Sequence, residues 1–455
     1  MAVFEESGSS MNSVSFASGG DRLVLGTGQG FAVLSREPFR ILAQSWIVGP
    51  VHSAELVPQS ALLALVGPRH REAVTSGPGS SRRLRLWSHK SQSAICEVPF
   101  ESDVLAVRLS RSRLVVVLVD TVFMFDLGTM DCLQTLDTLP NPLGLAALAS
   151  NPENPVLALP AEDGVVVLYD TFSLRLLNRF AAHRGRLACM AFNGDGSLLA
   201  TASETGTVIR VFGSPSGTRV STLRRGTVSC RILAMAFSPS STLLAVSSST
   251  GTCHVFRLPD FVAADVTTTS QGSETFRLET AGAGGLVGYL GSVINEYMDN
   301  VRHHAWARIP GEGLDHLACA LVQDVDEEAS GVLTEDPPPA GAAGPGSVES
   351  AANGIRAAST PATSRSSGTA DFLVTMTSLG LYQKFRVPVE PGTECVLVEE
   401  RRIRAEQLAQ QQHPGGGPSV ERPGNRPPSS VAWSEQEQEE DNEDGDGEVR
   451  HLEDI

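Results

Sequence analysis

The chain contains 455 residues, of which 41% are apolar, 5% aromatic and 19% charged. This apolar content is enough for a sizeable core, and small aliphatic side chains must fill it because aromatic residues are scarce. No run of about 18 apolar residues occurs, and Glu5 and Glu6 stand where a secretory or transit segment would carry positive charge. Composition therefore disfavours an integral membrane or secreted protein.

The negative charge of the chain is concentrated near its C-terminus. The formal net charge is -17 at pH 7, and the stretch from Glu435 to Ile455 holds eleven acidic residues and one basic residue. That stretch carries -10 and the other 434 residues only -7, so the body of the protein can still hold a local basic site. The seven cysteines are scattered without a C-x-x-C pair, which is typical of reduced, structural cysteines in the cytosol.

Short apolar strands that end in an aromatic residue or leucine, each followed by a polar turn, recur along the chain. Seven of them occur, at Phe31 to Leu34, Leu84 to Trp87, Val122 to Phe125, Val165 to Tyr169, Ile209 to Phe212, His254 to Phe256 and Tyr382 to Phe385. From Trp87 to Phe256 their ends are 38, 44, 43 and 44 residues apart. A period of roughly 40–45 residues indicates propeller blades of four strands. The sequence therefore predicts an all-β fold, a seven-bladed β-propeller over residues 11–400.

Three regions interrupt or follow this repeat. The last two strands are separated by 129 residues, a gap that contains insertions at 261–303 and 327–370. Residues 327–370 are a mixture of Pro, Gly, Ser and Ala, typical of a low-complexity linker. Residues 401–455 combine a Gln-rich start, Gly and Pro clusters and the acidic C-terminus, and we predict a disordered acidic tail there.

Two neighbouring blades repeat a set of hydroxyl residues around a pair of arginines. The segment from Leu198 to Thr207 matches the segment from Leu243 to Thr252 at an offset of 45 residues, and Arg224-Arg225 lies between them. Successive side chains of a strand point to opposite faces, so the two arginines can serve two sites. The group expected around Arg224 is Ser203, Thr207 and Arg210, with His183 and Arg184 within reach, and the group expected around Arg225 is Ser248, Thr252 and His254.

These residue types suit the binding of a phosphate group. Guanidinium groups form bidentate contacts with phosphate oxygens, and hydroxyl and imidazole groups can complete the shell without a metal. Alone, an Arg-Arg-Gly tripeptide is more often a solvated turn, and hydroxyl residues near strand ends commonly bond to their own backbone. The repetition on both sides of the pair favours two anion pockets and leaves the turn interpretation open. His303-His304 has no carboxylate or cysteine at ligand spacing, so no metal is predicted.

The run from Ala202 to Phe212, followed by Leu223 to Thr227, resembles the PROPPINs, seven-bladed propellers of autophagy that bind phosphoinositides. The similarity extends from about Ser13 to Glu400, with Leu223 in place of the phenylalanine of the family's usual Phe-Arg-Arg-Gly signature. The resemblance implies two pockets for phosphatidylinositol 3-phosphate and the 3,5-bisphosphate. The first would consist of His183, Ser203, Thr207, Arg210 and Arg224, and the second of Arg225, Ser248, Thr252 and His254.

The insertion at 261–303 contains apolar residues spaced by three and four, an amphipathic helix signal. Such a stripe often packs against its own domain, but in the PROPPINs a long loop at this place enters the bilayer. Glu296 and Asp299 make its polar face acidic, unlike a typical basic interfacial helix. The residues that the resemblance implies for membrane insertion are Leu286, Val287, Tyr289, Leu290, Val293 and Ile294.

The leading hypothesis is a non-enzymatic effector and scaffold that binds 3-phosphorylated inositol lipids through the two pockets. It would be a cytoplasmic monomer, peripheral on phagophore, endosomal or vacuolar/lysosomal membranes, to which it recruits autophagy proteins of unknown identity. The alternative is a propeller that binds acidic or phosphorylated peptides without direct lipid recognition. No cofactor and no nucleic-acid partner is predicted, and no nucleophile motif favours an enzyme.

Overall fold

The computed structural model describes residues 11–17, 19–46, 48–68, 80–259, 302–310, 317–325 and 369–404. The regular secondary structure in these described ranges consists of β-strands alone, and the strands form seven sheets. Blade 1 contains β1 (Ser13–Phe16), β2 (Arg22–Gly26), β3 (Phe31–Ser35) and β4 (Arg40–Ser45), and blade 2 contains β5 (Ser53–Leu56), β6 (Leu62–Val66), β7 (Arg83–Ser88) and β8 (Ser93–Pro99). Blade 3 contains β9 (Ala106–Leu109), β10 (Arg113–Val117), β11 (Thr121–Asp126) and β12 (Cys132–Asp137). Blade 4 contains β13 (Ala147–Leu148), β14 (Val156–Pro160), β15 (Val165–Asp170) and β16 (Arg175–Ala181).

Blades 5 to 7 complete the ring, and the seven-bladed β-propeller is confirmed. Blade 5 contains β17 (Leu187–Phe192), β18 (Leu198–Ser203), β19 (Val208–Gly213) and β20 (Arg219–Arg224). Blade 6 contains β21 (Ile232–Phe237), β22 (Leu243–Ser248), β23 (Thr252–Arg257), β24 (Ala305–Arg308) and β28 (Thr393–Glu394). Blade 7 contains β25 (Leu317–Val325), β26 (Thr369–Thr377), β27 (Leu381–Arg386) and β29 (Val396–Arg402). Each of the seven apolar strands predicted from the repeat is the third strand of its blade.

The core lies between the blades, because each sheet is covered on both faces by its neighbours. The second strands β18 and β22 are therefore buried at every position. Ile209 and Val211 of blade 5, for example, share a cluster with Val246 and Phe256 of blade 6. Burial on both faces explains why these strands begin with an unbroken apolar run, Leu198–Ala200 and Leu243–Val246, instead of an alternating pattern.

The outer strand of six blades contains a β-bulge at the same place. In each case the register skips one residue of the fourth strand opposite the end of the third. The skipped residues are all apolar: Leu42, Ile95, Leu133, Leu177, Val220 and Val398. A bulge adds local twist, and it leaves several of these side chains, including Ile95 and Leu177, exposed on the circumference.

Blades 7 and 1 form separate sheets, and the ring is closed by side chains and by a backbone bond from the Met11 N–H to the Ser378 carbonyl at 2.9 Å. Asp324 on β25 accepts from Arg36 Nη1 at 2.6 Å and pairs with Lys384 Nζ at 2.8 Å. Lys384 also donates to Glu37 at 2.9 Å. These four residues, the closure cluster, join the end of the chain to its beginning beside a shared apolar cluster.

The propeller extends past its predicted end. Arg401 and Arg402 pair with Tyr382 and Leu381 in β29, and the buried Ile403 donates its N–H to the Gly380 carbonyl at 2.7 Å. The prediction that a disordered tail begins at 401 is therefore wrong at its start, because 401–404 complete blade 7. Likewise β26 takes the last two residues of the predicted 327–370 linker.

Most of the predicted insertions and tail lies outside the described residues, namely 260–301, 326–368 and 405–455. The six residues assigned to membrane insertion fall within the first of these ranges, so that assignment stays a prediction. Within the described part of the chain, no helix is long and apolar enough to cross a membrane.

Candidate functional site

Blade 5 presents its two arginines to opposite neighbours. Leu223 pairs with Ile209 and packs with it against blade 6. Arg224, the next residue, pairs with Val208 and therefore belongs to the other face of the sheet, toward blade 4. Arg225 is buried and acts electrostatically on His254 of blade 6. The two arginines thus lie on different faces of blade 5, as the alternation predicts.

The first candidate group is built around a contact between Arg210 and His183. Arg210 Nη1 donates to His183 Nδ1 at 3.1 Å and to the Ala182 carbonyl at 3.0 Å. The His183 Nε2 atom lies 2.9 Å from Thr201 Oγ1, which donates to the Arg210 carbonyl at 3.2 Å. The structure therefore joins two residues that are 27 positions apart in sequence.

This network fixes the protonation of His183. A guanidinium group can only donate, so Nδ1 must accept and the proton of the neutral ring lies on Nε2. Burial, and then the positive charge of Arg210, lower the pKa of His183 to about 4. The neutral imidazole consequently donates to Thr201 and holds the Arg210 guanidinium in place.

Gly164 allows His183 to reach this position. The His183 N–H donates to the Gly164 carbonyl at 2.9 Å. Gly164 has φ +73°, and a Cβ atom there would lie 1.8 Å from the His183 carbonyl oxygen. Only glycine fits this close approach without strain, so the turn before β15 determines where the imidazole sits.

The other residues expected in the first group belong to blade 5 and to the connection that leads into it from blade 4. Arg224 pairs with Val208, which lies two residues before Arg210 on β19, so Arg224 and Arg210 share a face of the sheet. Ser203 Oγ bonds to Thr205 Oγ1 at 2.9 Å, and Thr207 contributes its carbonyl, which accepts from the Arg225 N–H at 3.0 Å. Arg184 is exposed. Glu204, which follows Ser203 in the chain, places its Oε1 atom 4.0 Å from Arg186 Nε.

Arg225 holds together the backbone on the other face of blade 5. Its Nε donates to the Gly206 carbonyl at 2.8 Å, and its Nη2 donates to the Val228 carbonyl. The side chain therefore ties the turn before β19 to the connection between blades 5 and 6. Sequence reasoning assigned Arg225 only to phosphate, and the structure adds this backbone contact.

His254 occupies in blade 6 the position that Arg210 occupies in blade 5. Arg210 pairs with Thr201, and His254 pairs with Val246, its equivalent in β22. Burial, and then His303 and Arg225, lower the pKa of His254 to about 4, so its imidazole is neutral at pH 7. Its Nδ1 is buried and has no hydrogen-bond partner among the described residues.

A hydroxyl cluster completes the second group. Ser248 Oγ lies 2.9 Å from Thr250 Oγ1 and 3.1 Å from Thr252 Oγ1. Thr252 is the first residue of β23 and pairs with Ser248. Thr207, by contrast, precedes β19 and belongs to the turn between β18 and β19, which is one residue longer than the turn between β22 and β23. The 45-residue match of Thr207 with Thr252 therefore does not hold in space, although Ser203 and Ser248 are equivalent.

Sequence reasoning missed three residues near the second group. The His303 ring lies 4.9 Å from that of His254, centroid to centroid. In β24, Trp306 pairs with His254 and Arg308 pairs with Thr252, so Arg308 takes the position that Arg224 has in blade 5. Their signal is weak because β24 follows the insertion and spans four residues.

Each group offers cationic and hydroxyl donors to an anion. Among the described residues no cluster of three or more His, Cys, Asp or Glu side chains could hold a metal ion. Charge-assisted hydrogen bonds from arginine are the strong element of such sites. The arrangement is therefore suited to two anionic groups, one on each side of blade 5.

The fold and these paired groups define a seven-bladed propeller with basic and hydroxyl side chains on both faces of one blade. The PROPPIN family model matches residues 10–324, and the chain belongs to this family of autophagy-related proteins. Autophagy-related protein 18 of Schizosaccharomyces pombe is 33% identical over 65% of this chain and 84% of its own length. The Emericella nidulans relative of that name is 37% identical over 59% of this chain, and the match spans 65% of its length, less than two thirds.

Solved structures show the same fold. Hsv2 of Kluyveromyces marxianus superposes with a TM-score of 0.59 at 14% identity, over 87% of this chain and 99% of that one. KlAtg21, solved in complex with the coiled coil of AgAtg16, gives a TM-score of 0.58 at 20% identity, over 86% and 99%. At these identities the likeness concerns the fold alone.

Proposed function

We propose that this chain is a non-catalytic effector that binds phosphatidylinositol 3-phosphate and the 3,5-bisphosphate through the two groups beside blade 5. The observation that carries the proposal is the placement of Arg224 and Arg225 on opposite faces of one blade, with Arg210 and His254 at equivalent positions beside them. Two phosphate-bearing headgroups on one membrane would then engage two adjacent blade interfaces.

Chemistry on both sides supports a phosphate ligand. On the first side, the Arg210 guanidinium is already oriented by His183, so little ordering entropy is lost on binding. On the second side, a buried nitrogen of His254 lies near the positive charge of Arg225 and beside the His303 ring. A bound phosphate would compensate the positive charge of Arg225.

We further propose that lipid binding places the propeller on autophagic or endolysosomal membranes, where it recruits autophagy proteins. The complex of KlAtg21 with a coiled coil is one precedent for a propeller of this fold that binds a protein partner. A soluble monomer that attaches peripherally fits this role.

Vesicle flotation tests the lipid assignment. The wild-type protein should float with vesicles that contain phosphatidylinositol 3-phosphate and not with vesicles that contain only phosphatidylinositol. Arg210→Ala and His254→Ala should each weaken binding by more than half, because two weak contacts on one membrane act as a bivalent ligand. Arg40→Ala, an exposed arginine on blade 1, is the control.

Two results would contradict the proposal. If each pocket variant halves the capacity at unchanged affinity, the pockets act independently and bivalent binding is wrong. If the wild-type protein ignores the 3-phosphate and instead binds an acidic or phosphorylated peptide, the arginines serve protein recognition.

A further inference from the structure

The outer edge of blade 4 exposes apolar and basic side chains. Phe172, in the turn between β15 and β16, is 77% exposed, and Leu176 and Leu177 on β16 are 57% and 40% exposed. Arg175 and Arg179 are exposed on the same strand. These five residues are called the blade 4 edge patch below.

The turn that carries Phe172 is held rigidly. The Phe172 N–H donates to Asp170 Oδ1 at 2.7 Å, and Ser173 Oγ donates to Asp170 Oδ2 at 2.8 Å. The adjacent Thr171 is buried and bonds through its N–H to Pro155 and through its carbonyl to Arg113. An exposed aromatic ring on a hydrogen-bonded turn beside exposed leucines is more typical of a binding surface than of a solvated turn.

Charge distinguishes this edge from the outer strands of blades 2, 3 and 7. The outer strands of blades 4 and 5 contain two arginines each and no acidic residue. By contrast, the outer strands of blades 2, 3 and 7 contain Glu97, Asp137 and Glu399 respectively. Arg179 pairs with Glu162, yet both side chains remain half exposed. The patch therefore suits an anionic surface.

Position connects the patch to the candidate sites. The chain passes from β16 through Ala182 directly into His183 of the first group. Blade 4 flanks blade 5 on one side as blade 6 does on the other. The turn of Phe172 joins the third and fourth strands of its blade.

We propose that the blade 4 edge patch is a bilayer contact, in which Phe172 and the two leucines enter the membrane interface and the arginines meet anionic headgroups. This rests on the proposed function, since the pockets must first bring blade 5 to a membrane. Aromatic and leucine side chains combined with arginine are the composition of interfacial segments.

A double substitution measures the contribution of the patch. Phe172→Ser with Leu176→Ser should lower partitioning onto vesicles of phosphatidylcholine, phosphatidylserine and phosphatidylinositol 3-phosphate about tenfold, since about 1.4 kcal/mol of lost apolar transfer corresponds to that factor. Binding of soluble inositol 1,3-bisphosphate should not change. The matched control, Leu42→Ser with Ile95→Ser, removes exposed apolar residues from the outer strands of blades 1 and 2.

A position-specific probe keeps the proposal falsifiable if the double variant folds poorly. An environment-sensitive dye on Phe172→Cys, in a Cys132→Ser background because Cys132 is exposed, should shift to the blue with these vesicles. The same dye on Ile95→Cys should not shift. A dye at 172 that stays in water while the protein binds vesicles overturns this inference alone. Equal partitioning of the patch and control variants does the same, whereas a wild-type protein that never binds these vesicles overturns the proposed function.

Discussion

Replacement of Arg225 by threonine should destabilise the propeller, whereas replacement of Arg224 should not, although both are candidate phosphate ligands. Arg225 is only 9% exposed, and its guanidinium donates to the carbonyls of Gly206 and Val228. Arg224 is half-buried at the end of β20. The first substitution therefore breaks a link between two backbone segments, and the second removes a side chain that is partly exposed to water.

The magnitude follows from these bonds. A hydrogen bond to a charged group contributes about 1.5–3 kcal/mol, so two of them set an upper limit of about 6 kcal/mol. Water can rehydrate the Val228 carbonyl, because the residue is exposed. We therefore expect Arg225→Thr to lower the free energy of unfolding by about 3 kcal/mol, and Arg224→Thr by less than about 1 kcal/mol.

Urea unfolding of the two variants and the wild-type protein measures this difference, with hydrogen exchange at the Cys230 amide as a local readout. That amide donates to the Thr205 carbonyl across the segment that Arg225 holds, and it should lose protection only in Arg225→Thr. Equal unfolding midpoints for the two variants would refute the reasoning. The outcome matters for function, because lost lipid binding in Arg225→Thr does not by itself show a phosphate contact.

Three further predictions concern protonation, ring closure and the insertion. His183 and His254 have pKa values lowered to about 4 and are neutral in the folded state. Histidine in the unfolded chain has a pKa near 6.5, so the unfolded chain binds protons that the folded histidines do not. The free energy of unfolding should therefore be highest above about pH 6.5 and fall as the pH drops toward about 4. In His183→Gln the urea midpoint should depend less steeply on pH. Lys384→Met should cost about 2–4 kcal/mol in the same assay because it leaves Asp324 and Glu37 without one cation, whereas Lys90→Met, at an exposed position, should cost nothing measurable. Leu290→Asp with Val293→Asp should release the protein from vesicles while soluble headgroup still binds, and a variant that unfolds or also loses headgroup binding would show that the apolar stripe is core.

The repeat predicted the blades because one local pattern recurs at nearly constant spacing. Strands such as β19 and β23 carry an aliphatic residue followed by an aromatic residue close to a polar turn, so seven of them could be counted without any knowledge of contacts. Where spacing failed, prediction failed as well. Blade 6 takes β24 from beyond an insertion and β28 from between two strands of blade 7, and no periodic signal marks either strand.

The candidate site was predictable in identity and less so in geometry. Alternation along β20 correctly separated Arg224 from Arg225, since it needs only the strand assignment. The 45-residue match could not show that the turn after β22 is one residue shorter than the turn after β18. It also could not show that the His303 ring lies beside the His254 ring, because that contact depends on where the chain returns after the insertion.

The two candidate pockets follow from one blade geometry used twice in succession. Arg210 and His254 occupy equivalent positions on the third strands, and Arg224 and Arg308 occupy equivalent positions on the fourth. Adjacent blades are packed through a continuous core, so the separation of the pockets is fixed before any ligand arrives. A rigid pair of weak sites gains avidity without ordering a linker. Blade 4 packs against blade 5 through a similar core, so the blade 4 edge patch also has a fixed position relative to the pair.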